Sequence, residues 1–313
     1  MVLHTSGDPR AWTADTVDAP QRWRHPISRE LLANLRALVA VQPSDRPATE
    51  ILLNADQREA WGEALEPAVR DLEEGRGFVI IDRLPMDRIS QREAVALYWL
   101  IGQLLGEPFA QNVEGTLLYD VRDTGQDVAA GARFSVTSYE SSFHTDNSFG
   151  DDVLDYVGLL CLKTAKSGGI SQNVSGYAAI DLLKREHPGV LETLSQPLHV
   201  DRRGGFREGE SPTVLRPIVE WDGSEVTLRY LRYWIEAGHD KVKQPLTARE
   251  RGALDVLDDV LKRPELRVEF SLEPGQMYFI NNRWILHNRT AFVDYPDLER
   301  RRHLVRLWLR RRA

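Results

Sequence analysis

In the first third of the chain, apolar residues recur at the spacing of an amphipathic helix, with charged residues on the opposite face. The last of these segments is followed by Gly106 and Pro108, which are typical of a helix end. An apolar run at 77–82 has the length and composition of a strand. The predicted helices run from the N-cap Ser28 to about Val41, from about Asp56 to Arg76, and from Ser90 to Leu105.

From about Phe109 the pattern changes to short apolar runs separated by Gly, Asp and Pro, which is typical of a β-rich region. Two helical stretches interrupt it, and strands are predicted to follow the second one. The helices are predicted at Ala178–Arg185 and Thr247–Lys262, and the strands at Arg267–Leu272, Gln276–Asn281 and His303–Arg310. A helical first part and a β-rich remainder predict a mixed α/β fold, with a double-stranded β-helix (jelly-roll) core flanked by helices.

The predicted domain organisation is simple. Residues 1–26 are polar and contain one glycine and three prolines, so they are expected to form an arm on the surface. Residues 27–313 are expected to form a single domain, with the jelly-roll core at about 77–313.

The composition excludes several classes of protein. A hydrophobic fraction of 42% and a charged fraction of 28% describe an ordinary globular protein, and the net charge of −7 argues against nucleic acid as the main partner. No apolar run approaches the length of a membrane span, and the N-terminus has no apolar core of a signal peptide. The single cysteine, Cys161, lies in an apolar run and is expected to be a buried, inert thiol. A reducing cytoplasm is therefore the predicted location.

The candidate chemistry lies in two distant clusters, His144-Thr145-Asp146 and His287 with its neighbours. Two histidines and one carboxylate are the ligand set of a mononuclear non-heme Fe(II) centre, which leaves the other positions open for substrate and oxygen. On a strand, His144 and Asp146 would point to one face about 7 Å apart. His287 can complete the metal site and catalytic centre only if the fold brings the two clusters together.

Two further patterns bear on this prediction. By strand alternation Arg302 and Arg306 share one face, and His303 faces the other way. A second His-x-Asp, His199 and Asp201, is interpreted as structural because arginines follow it directly.

Several segments resemble the taurine dioxygenase (TauD/TfdA) and clavaminate synthase-like branch of the Fe(II)/2-oxoglutarate oxygenases. The resemblance runs from about Gly77 to the C-terminus. It is carried by residues 143–146, 155–162 and 167–171, by Pro274-Gly275 and Asn282, by His287-Asn288-Arg289-Thr290, and by Arg302 and Arg306. It implies Fe(II), O2 and 2-oxoglutarate as cosubstrate. It also implies that Arg302 binds the distal carboxylate of 2-oxoglutarate together with the hydroxyl of Ser171, where relatives often have threonine. Gln276 stands where relatives often have aspartate.

The implied reaction oxidises a C–H bond, most simply by hydroxylation, and releases succinate and CO2. Halogenating relatives replace the metal-binding carboxylate with a small residue, so Asp146 argues against halogenation. Arg306 is expected near the iron-bound end of the cosubstrate or at the prime substrate, which predicts a small acid-bearing or amino-acid-like metabolite. A salt bridge with a core carboxylate is the alternative for Arg306. Arg229 and Arg232 are weaker substrate-binding candidates, with ion pairing as the alternative.

Two other functions stay open at this point. One is a protein hydroxylase of the jumonji type, although those enzymes usually hold the cosubstrate with a lysine on another strand. The other is a non-catalytic jelly-roll module that holds zinc, since zinc also accepts two histidines and a carboxylate. Only an oxygenase explains Ser171 together with Arg302. A homo-oligomer is compatible with the sequence, which does not identify the prime substrate.

Overall fold

Helices dominate the first third of the chain and strands the remainder, in a computed structural model that describes residues 7–126, 134–203, 206 and 208–312. The helices are α1 (Arg29–Ala40), α2 (Ala55–Gly62), α3 (Glu66–Glu73), α4 (Gln91–Leu105), α5 (Gly176–Glu186), α6 (Pro188–Leu194), α7 (Arg232–Val242) and α8 (Ala248–Leu261). The strands are β1 (Arg24–Pro26), β2 (Phe78–Asp82), β3 (Glu107–Phe109), β4 (Leu118–Val121), β5 (Tyr156–Lys163), β6 (Ser167–Gly168), β7 (Ser171–Ser175), β8 (Leu198–Asp201), β9 (Thr213–Arg216), β10 (Val219–Trp221), β11 (Val226–Leu228), β12 (Arg267–Phe270), β13 (Met277–Asn281), β14 (Ile285–Arg289), β15 (Phe292–Val293) and β16 (His303–Arg310).

The strands form one large sheet, one three-stranded sheet and three two-stranded pairs. The large sheet has the order β1-β2-β13-β5-β16-β3, with β4 also paired to β16. The three-stranded sheet has the order β12-β7-β14, and the pairs are β10-β11, β15-β6 and β8-β9. The mixed α/β prediction is confirmed. Among the described residues the pairing does not close a barrel.

Strand alternation separates the two faces of the large sheet into two cores. Phe78 and Ile80 face the core that also contains residues of the three-stranded sheet and of α5 and α8. Val79 and Ile81 face the core formed with α1, α3 and α4. The large sheet is therefore the central layer, and the face directed at the smaller sheet carries the candidate chemistry.

Two predicted helices are confirmed at their starts, and a third is corrected. The Ser28 hydroxyl accepts a hydrogen bond from the Leu31 amide at 3.0 Å, and Ser90 caps α4 in the same way. The predicted helix from Asp56 to Arg76 is not continuous. α2 ends at Gly62, a short 3-10 turn follows, and α3 restarts with a proline in its first turn and ends at Glu73. Glycine and proline favour such a break.

The sequence missed α6 and α7, and the arm is more deeply packed than its composition suggests. Trp12 and Trp23 are each 4% exposed and pack edge-on against Phe78. Residues 24–26 pair with β2 in parallel. In the described part of the chain, no helix combines the length and the apolar character needed to cross a membrane.

Cys161 lies in β5 and is 1% exposed. Burial raises the pKa of its thiol to about 12, against a smaller opposite effect of the Arg302 charge. The thiol is therefore protonated at neutral pH and unreactive, as predicted.

Candidate active site

The three predicted metal ligands meet at one point. One ligand atom each from His144, Asp146 and His287 lies within 4.8 Å of the other two. The Oδ1 atom of Asp146 is 3.4 Å from Nε2 of His144 and 3.8 Å from Nε2 of His287. Bond lengths of about 2.0–2.2 Å from nitrogen and oxygen to a divalent metal fit these separations. The residues present therefore fit a mononuclear iron site.

The route to this geometry differs from the predicted strand. His144 makes a single antiparallel bridge with His287, with main-chain N–O distances of 3.0 and 2.9 Å. A turn then begins at Asp146, and Asn147 adopts a left-handed φ of 55°. The strand prediction for this segment was wrong. The turn brings the carboxylate back toward the histidines, whereas a strand would carry it away along the sheet.

Hydrogen bonds with residues distant in the sequence hold the segment in place. The Thr145 hydroxyl donates to the Leu228 carbonyl and accepts from the Tyr230 amide, both at 3.0 Å. The Asn282 side chain accepts from the Asp146 amide at 2.8 Å and donates to the Asp146 carbonyl at 3.0 Å. Asn282 thereby fixes the backbone of a metal ligand, a role that the sequence alone did not assign to it.

The Asp146 carboxylate divides its two oxygens between two tasks. Oδ2 accepts from Nη1 of Arg306 at 3.0 Å and from Nε1 of Trp308 at 2.9 Å. Oδ1 faces the histidines. Burial alone would raise the pKa of Asp146, but Arg306 and the histidines hold it well below its usual range. The group is therefore an anion that offers one oxygen to a metal.

Both histidines present a ring nitrogen, Nε2, to the Asp146 carboxylate. Nδ1 of His144 lies 2.8 Å from the Ser142 carbonyl and donates to it, which orients the ring with Nε2 toward the site. Burial and the neighbouring His144 lower the pKa of His287 to about 3. At neutral pH His287 is therefore uncharged, as metal binding requires.

Arg302 has a buried guanidinium group that is free to bind an anion. It is 6% exposed, and its Nη1 atom has no hydrogen-bond partner among the described residues. Burial lowers the pKa of Arg302 to about 10, so it is still charged at neutral pH. Leaving a buried guanidinium nitrogen unpaired costs free energy, which a carboxylate would recover. Arg302 therefore fits the distal carboxylate of 2-oxoglutarate.

Gly169 leaves room for this guanidinium. Its φ of +69° is in the left-handed region, and a Cβ atom built there would lie 3.3 Å from Nε of Arg302. The sequence assigned Gly168 and Gly169 only to the family resemblance. The structure gives a physical reason for the second glycine.

Gly169→Ala is expected to weaken 2-oxoglutarate binding by roughly 3- to 30-fold, because strain and contact at this position shift Arg302. Titration of the purified variant with 2-oxoglutarate would measure this loss. Gly189→Ala is a suitable control, since nothing lies within 4 Å of a Cβ built there. Equal affinity in Gly169→Ala and wild type would show that Arg302 tolerates the methyl group.

Arg306 lies beside the metal ligands, as expected. It also forms a salt bridge with Asp146, so the alternative prediction of a salt bridge with a core carboxylate applies as well. Its Nε atom donates to Oε1 of Gln111 at 2.7 Å, and the Gln111 amide donates to the main-chain carbonyls of Arg306 and Leu117. Gln111 and Trp308 were missed as site residues. Trp308 shares the strand parity of Arg306, which could have identified it, but Gln111 gave no local signal.

The remaining candidates lie further away. Ser171 begins β7 opposite Arg289 of β14 and shares its face of the sheet, but it does not line the cavity described below.

Arg229 bonds to the Gly150 carbonyl at 2.8 Å and to Glu220 at 3.3 Å. Arg232 lies in α7 and pairs with two aspartates at 2.7 and 2.9 Å. The second substrate anchor proposed for Arg229 and Arg232 thus has no support, because ion pairs and a carbonyl use both side chains.

The second His-x-Asp is structural, as interpreted from the sequence. Asp201 is fully buried, 2.6 Å from Lys241 and 3.8 Å from Arg203. The main-chain amide of His199 donates to His239 at 3.2 Å. His303 pairs with Asp120 at 2.7 Å and does not line the cavity, as its parity predicted.

A cavity of about 120 Å³ joins the metal ligands to the arginines. Both polar and apolar side chains line it. The lining comprises Gln111, Val121, Ser135, Ser141, His144, Asp146, Asn147, Phe149, Val157, Leu159, Leu231, Trp234, His287, Arg289, Arg302, Arg306 and Trp308. Such a mixture of apolar walls and few polar groups is typical of a small-molecule site.

The sequence model of the "Taurine catabolism dioxygenase TauD, TfdA family" matches residues 40–308. The chain belongs to this family. It is an Fe(II)- and 2-oxoglutarate-dependent dioxygenase, with the two-histidine, one-carboxylate centre of that class.

Two proteins from other organisms are similar to this chain in sequence. FR-33289 synthase from Streptomyces rubellomurinus is 27% identical over 302 residues, covering 95% of this chain and 88% of the relative. Trimethyllysine dioxygenase from Gallus gallus is 29% identical over 162 residues, covering 50% of this chain and 38% of the relative.

Solved structures share the fold of this TauD/TfdA family member. Asparagine oxygenase, crystallised with Fe(II), a hydroxyasparagine and succinate, superposes with a TM-score of 0.68 at 23% identity, covering 92% of this chain and 93% of that one. The non-heme iron oxygenase OrfP, crystallised with Fe and α-ketoglutaric acid, gives a TM-score of 0.63 at 17% identity, covering 91% and 93%.

Proposed function

We propose that this dioxygenase hydroxylates a C–H bond of a small acid-bearing or amino-acid-like metabolite and releases succinate and CO2. One observation carries the proposal: a metal triad and a buried arginine with an unpaired nitrogen line the same small cavity. We also propose that the large sheet and the three-stranded sheet are the two halves of a jelly-roll core, which their shared hydrophobic core supports.

In this proposal His144, Asp146 and His287 hold the iron, and Arg302 binds the distal carboxylate of 2-oxoglutarate. Ser171 is the hydroxyl proposed to assist Arg302, although it lies outside the cavity lining. Bound iron and 2-oxoglutarate supply the oxidation, in which O2 is consumed as 2-oxoglutarate becomes succinate and CO2. The chain's own part is to hold these molecules and the substrate in place and to limit side reactions.

The two donors on Oδ2 of Asp146 define the metal site. Because Arg306 and Trp308 already donate to Oδ2, Oδ1 is the oxygen that would bind the iron. One-oxygen binding leaves the remaining coordination positions for the cosubstrate and O2. This arrangement supports catalysis rather than a closed structural metal site.

The substrate is proposed to lie between the apolar walls of the cavity and Arg306. Among the described residues no hydrogen bond uses Nη2 of Arg306, which leaves this nitrogen for an acid group of the substrate or for the iron-bound end of 2-oxoglutarate. Relatives named for trimethyllysine and asparagine support a small amino-acid-like substrate. Because Arg306 also holds Asp146, replacing it would disturb the iron and the substrate together.

The two alternative functions explain fewer of these observations. A zinc-holding module gives no reason for the unpaired Arg302 nitrogen, and a jumonji-type protein hydroxylase would usually use a lysine for the cosubstrate. The cytoplasm is the proposed location, because a single buried thiol and a ferrous site both suit a reducing compartment.

Anaerobic addition of Fe(II) and then 2-oxoglutarate to the metal-free protein tests the function. We expect one Fe(II) per chain and a charge-transfer absorption band that appears only when both are present, because 2-oxoglutarate chelates the iron. His199→Ala should behave like wild type. Iron binding without any band on addition of 2-oxoglutarate would favour the non-catalytic module.

A further inference from the structure

The charges around the cavity are strongly unbalanced. Among the described residues that line it, three are arginines, Arg289, Arg302 and Arg306, and a single one, Asp146, is a carboxylate. Asp146 is a metal ligand. Iron would add two positive charges and the bound cosubstrate two negative ones, so the described lining residues would keep an excess of positive charge.

That carboxylate has no oxygen left for a substrate. Oδ1 faces the histidines at the metal site, and Oδ2 already accepts hydrogen bonds from Arg306 and Trp308 at 3.0 and 2.9 Å. The nearby Oε1 of Gln111 accepts from Nε of Arg306 at 2.7 Å. An ammonium group entering the cavity would therefore find these acceptors occupied by donors.

Arg289 adds a charge that no side chain in the cavity lining neutralises. It follows His287 by two residues in β14 and shares its face. Its guanidinium donates to the main-chain carbonyls of Thr137, at 2.9 Å, and Tyr139. Main-chain carbonyls fix the position of a guanidinium without cancelling its charge.

Arg289 and Arg302 both contact the Phe292 ring and both line the cavity. Their guanidinium carbons are 4.7 and 5.1 Å from the centre of the same Phe292 ring. Asp123 and Glu140 are the acidic side chains near Arg289, and neither lines the cavity. Two positive charges in one cavity wall favour anions and repel cations.

We propose that the prime substrate is an acid without an ammonium group or other fixed positive charge, so that any amine it contains is acylated or otherwise neutral. This inference rests on the proposed function. It narrows the substrate class from acid-bearing or amino-acid-like metabolites to anions whose remaining groups are uncharged. The apolar residues of the cavity, including Phe149, Leu231 and Trp234, can pack against the uncharged part of such a substrate.

Matched pairs of probes test the proposal on the anaerobic complex with Fe(II) and 2-oxoglutarate. Leucine is compared with N-acetylleucine and 4-methylpentanoate, and taurine with ethanesulfonate. Binding is followed through the charge-transfer band and, independently of iron, through tryptophan fluorescence, since Trp234 and Trp308 line the cavity. The ammonium-free acids are expected to bind more tightly than their partners by on the order of tenfold or more, the size of a hydrogen bond to a charged group.

Asn147→Asp provides the complementary variant. It adds a carboxylate to the cavity wall at a left-handed position that aspartate also tolerates. This variant should shift the preference toward the ammonium-bearing probes. Asn54→Asp adds the same charge at the exposed N-cap of α2 and should leave the preference unchanged.

The outcomes separate the two proposals. Failure of the band to form before any probe is added would count against the proposed function, and the fluorescence titration would still report the preference between probes. Equal or tighter binding of the ammonium-bearing probes to the wild-type protein, or no binding of any ammonium-free acid, would overturn the inference.

Discussion

Alanine in place of His144, Asp146 or His287 is expected to abolish tight Fe(II) binding and, with it, turnover. Each substitution removes one of three ligand atoms that lie within 4.8 Å of one another. Loss of an outer-shell partner typically weakens metal binding about 10- to 100-fold, so loss of a ligand should cost at least about 100-fold. Iron per chain, measured by metal analysis after anaerobic loading and desalting, checks the prediction.

The three variants differ in what they do to the fold. The histidine variants should unfold near the wild-type temperature. Asp146→Ala should be less stable, because it leaves the buried donors of Arg306 and Trp308 without their acceptor. His199→Ala is the matched control and should retain iron. Full iron occupancy and unchanged turnover in His144→Ala would disprove the assignment.

The metal ligands could be predicted from the sequence because their chemistry is restrictive. Few residue types bind Fe(II), and His-x-Asp with a distal histidine and a following arginine rarely arises for another reason. The same reasoning separated His144 from His199, since Asp201 had basic neighbours. Those neighbours in the structure include Lys241, which is distant in sequence.

The local conformation at the metal site was not predictable in the same way. A His-Thr-Asp segment in a β-rich region is typical of a strand, and nothing nearby signals the turn at Asp146. The turn depends on Asn282 and on the carbonyl of Leu228, which become neighbours only through the tertiary fold. Tertiary contacts override local propensity here.

The residues that support the site show where sequence reasoning stops. Gln111 contacts Arg306 from 195 positions away, through both side-chain and main-chain atoms of that β16 residue. Strand parity could have placed Trp308 beside Arg306, but not the hydrogen bond from its indole to Asp146. Periodicity assigns a side chain to a face, whereas partners across a cavity depend on the packing of both sheets.

Arg302→Lys is expected to weaken 2-oxoglutarate binding by roughly 1–3 kcal/mol, the size of a hydrogen bond to a charged group. Lysine keeps the charge but loses the planar fork that binds a carboxylate through two hydrogen bonds. In a site where arginine is 6% exposed, lysine would also lose its proton more easily. Ser171→Ala should cost less, since Ser171 lies outside the cavity lining.

Anaerobic titration with 2-oxoglutarate, followed through the charge-transfer band and by calorimetry, measures both affinities. Arg232→Lys is the matched control, because Arg232 is half-buried and pairs with aspartates away from the cavity. It should bind 2-oxoglutarate like wild type. The unpaired Nη1 atom makes Arg302 the best-prepared anion site in the described cavity. Wild-type affinity in both Arg302→Lys and Ser171→Ala would therefore mean that another group, such as Arg289 in the same cavity lining, binds the distal carboxylate.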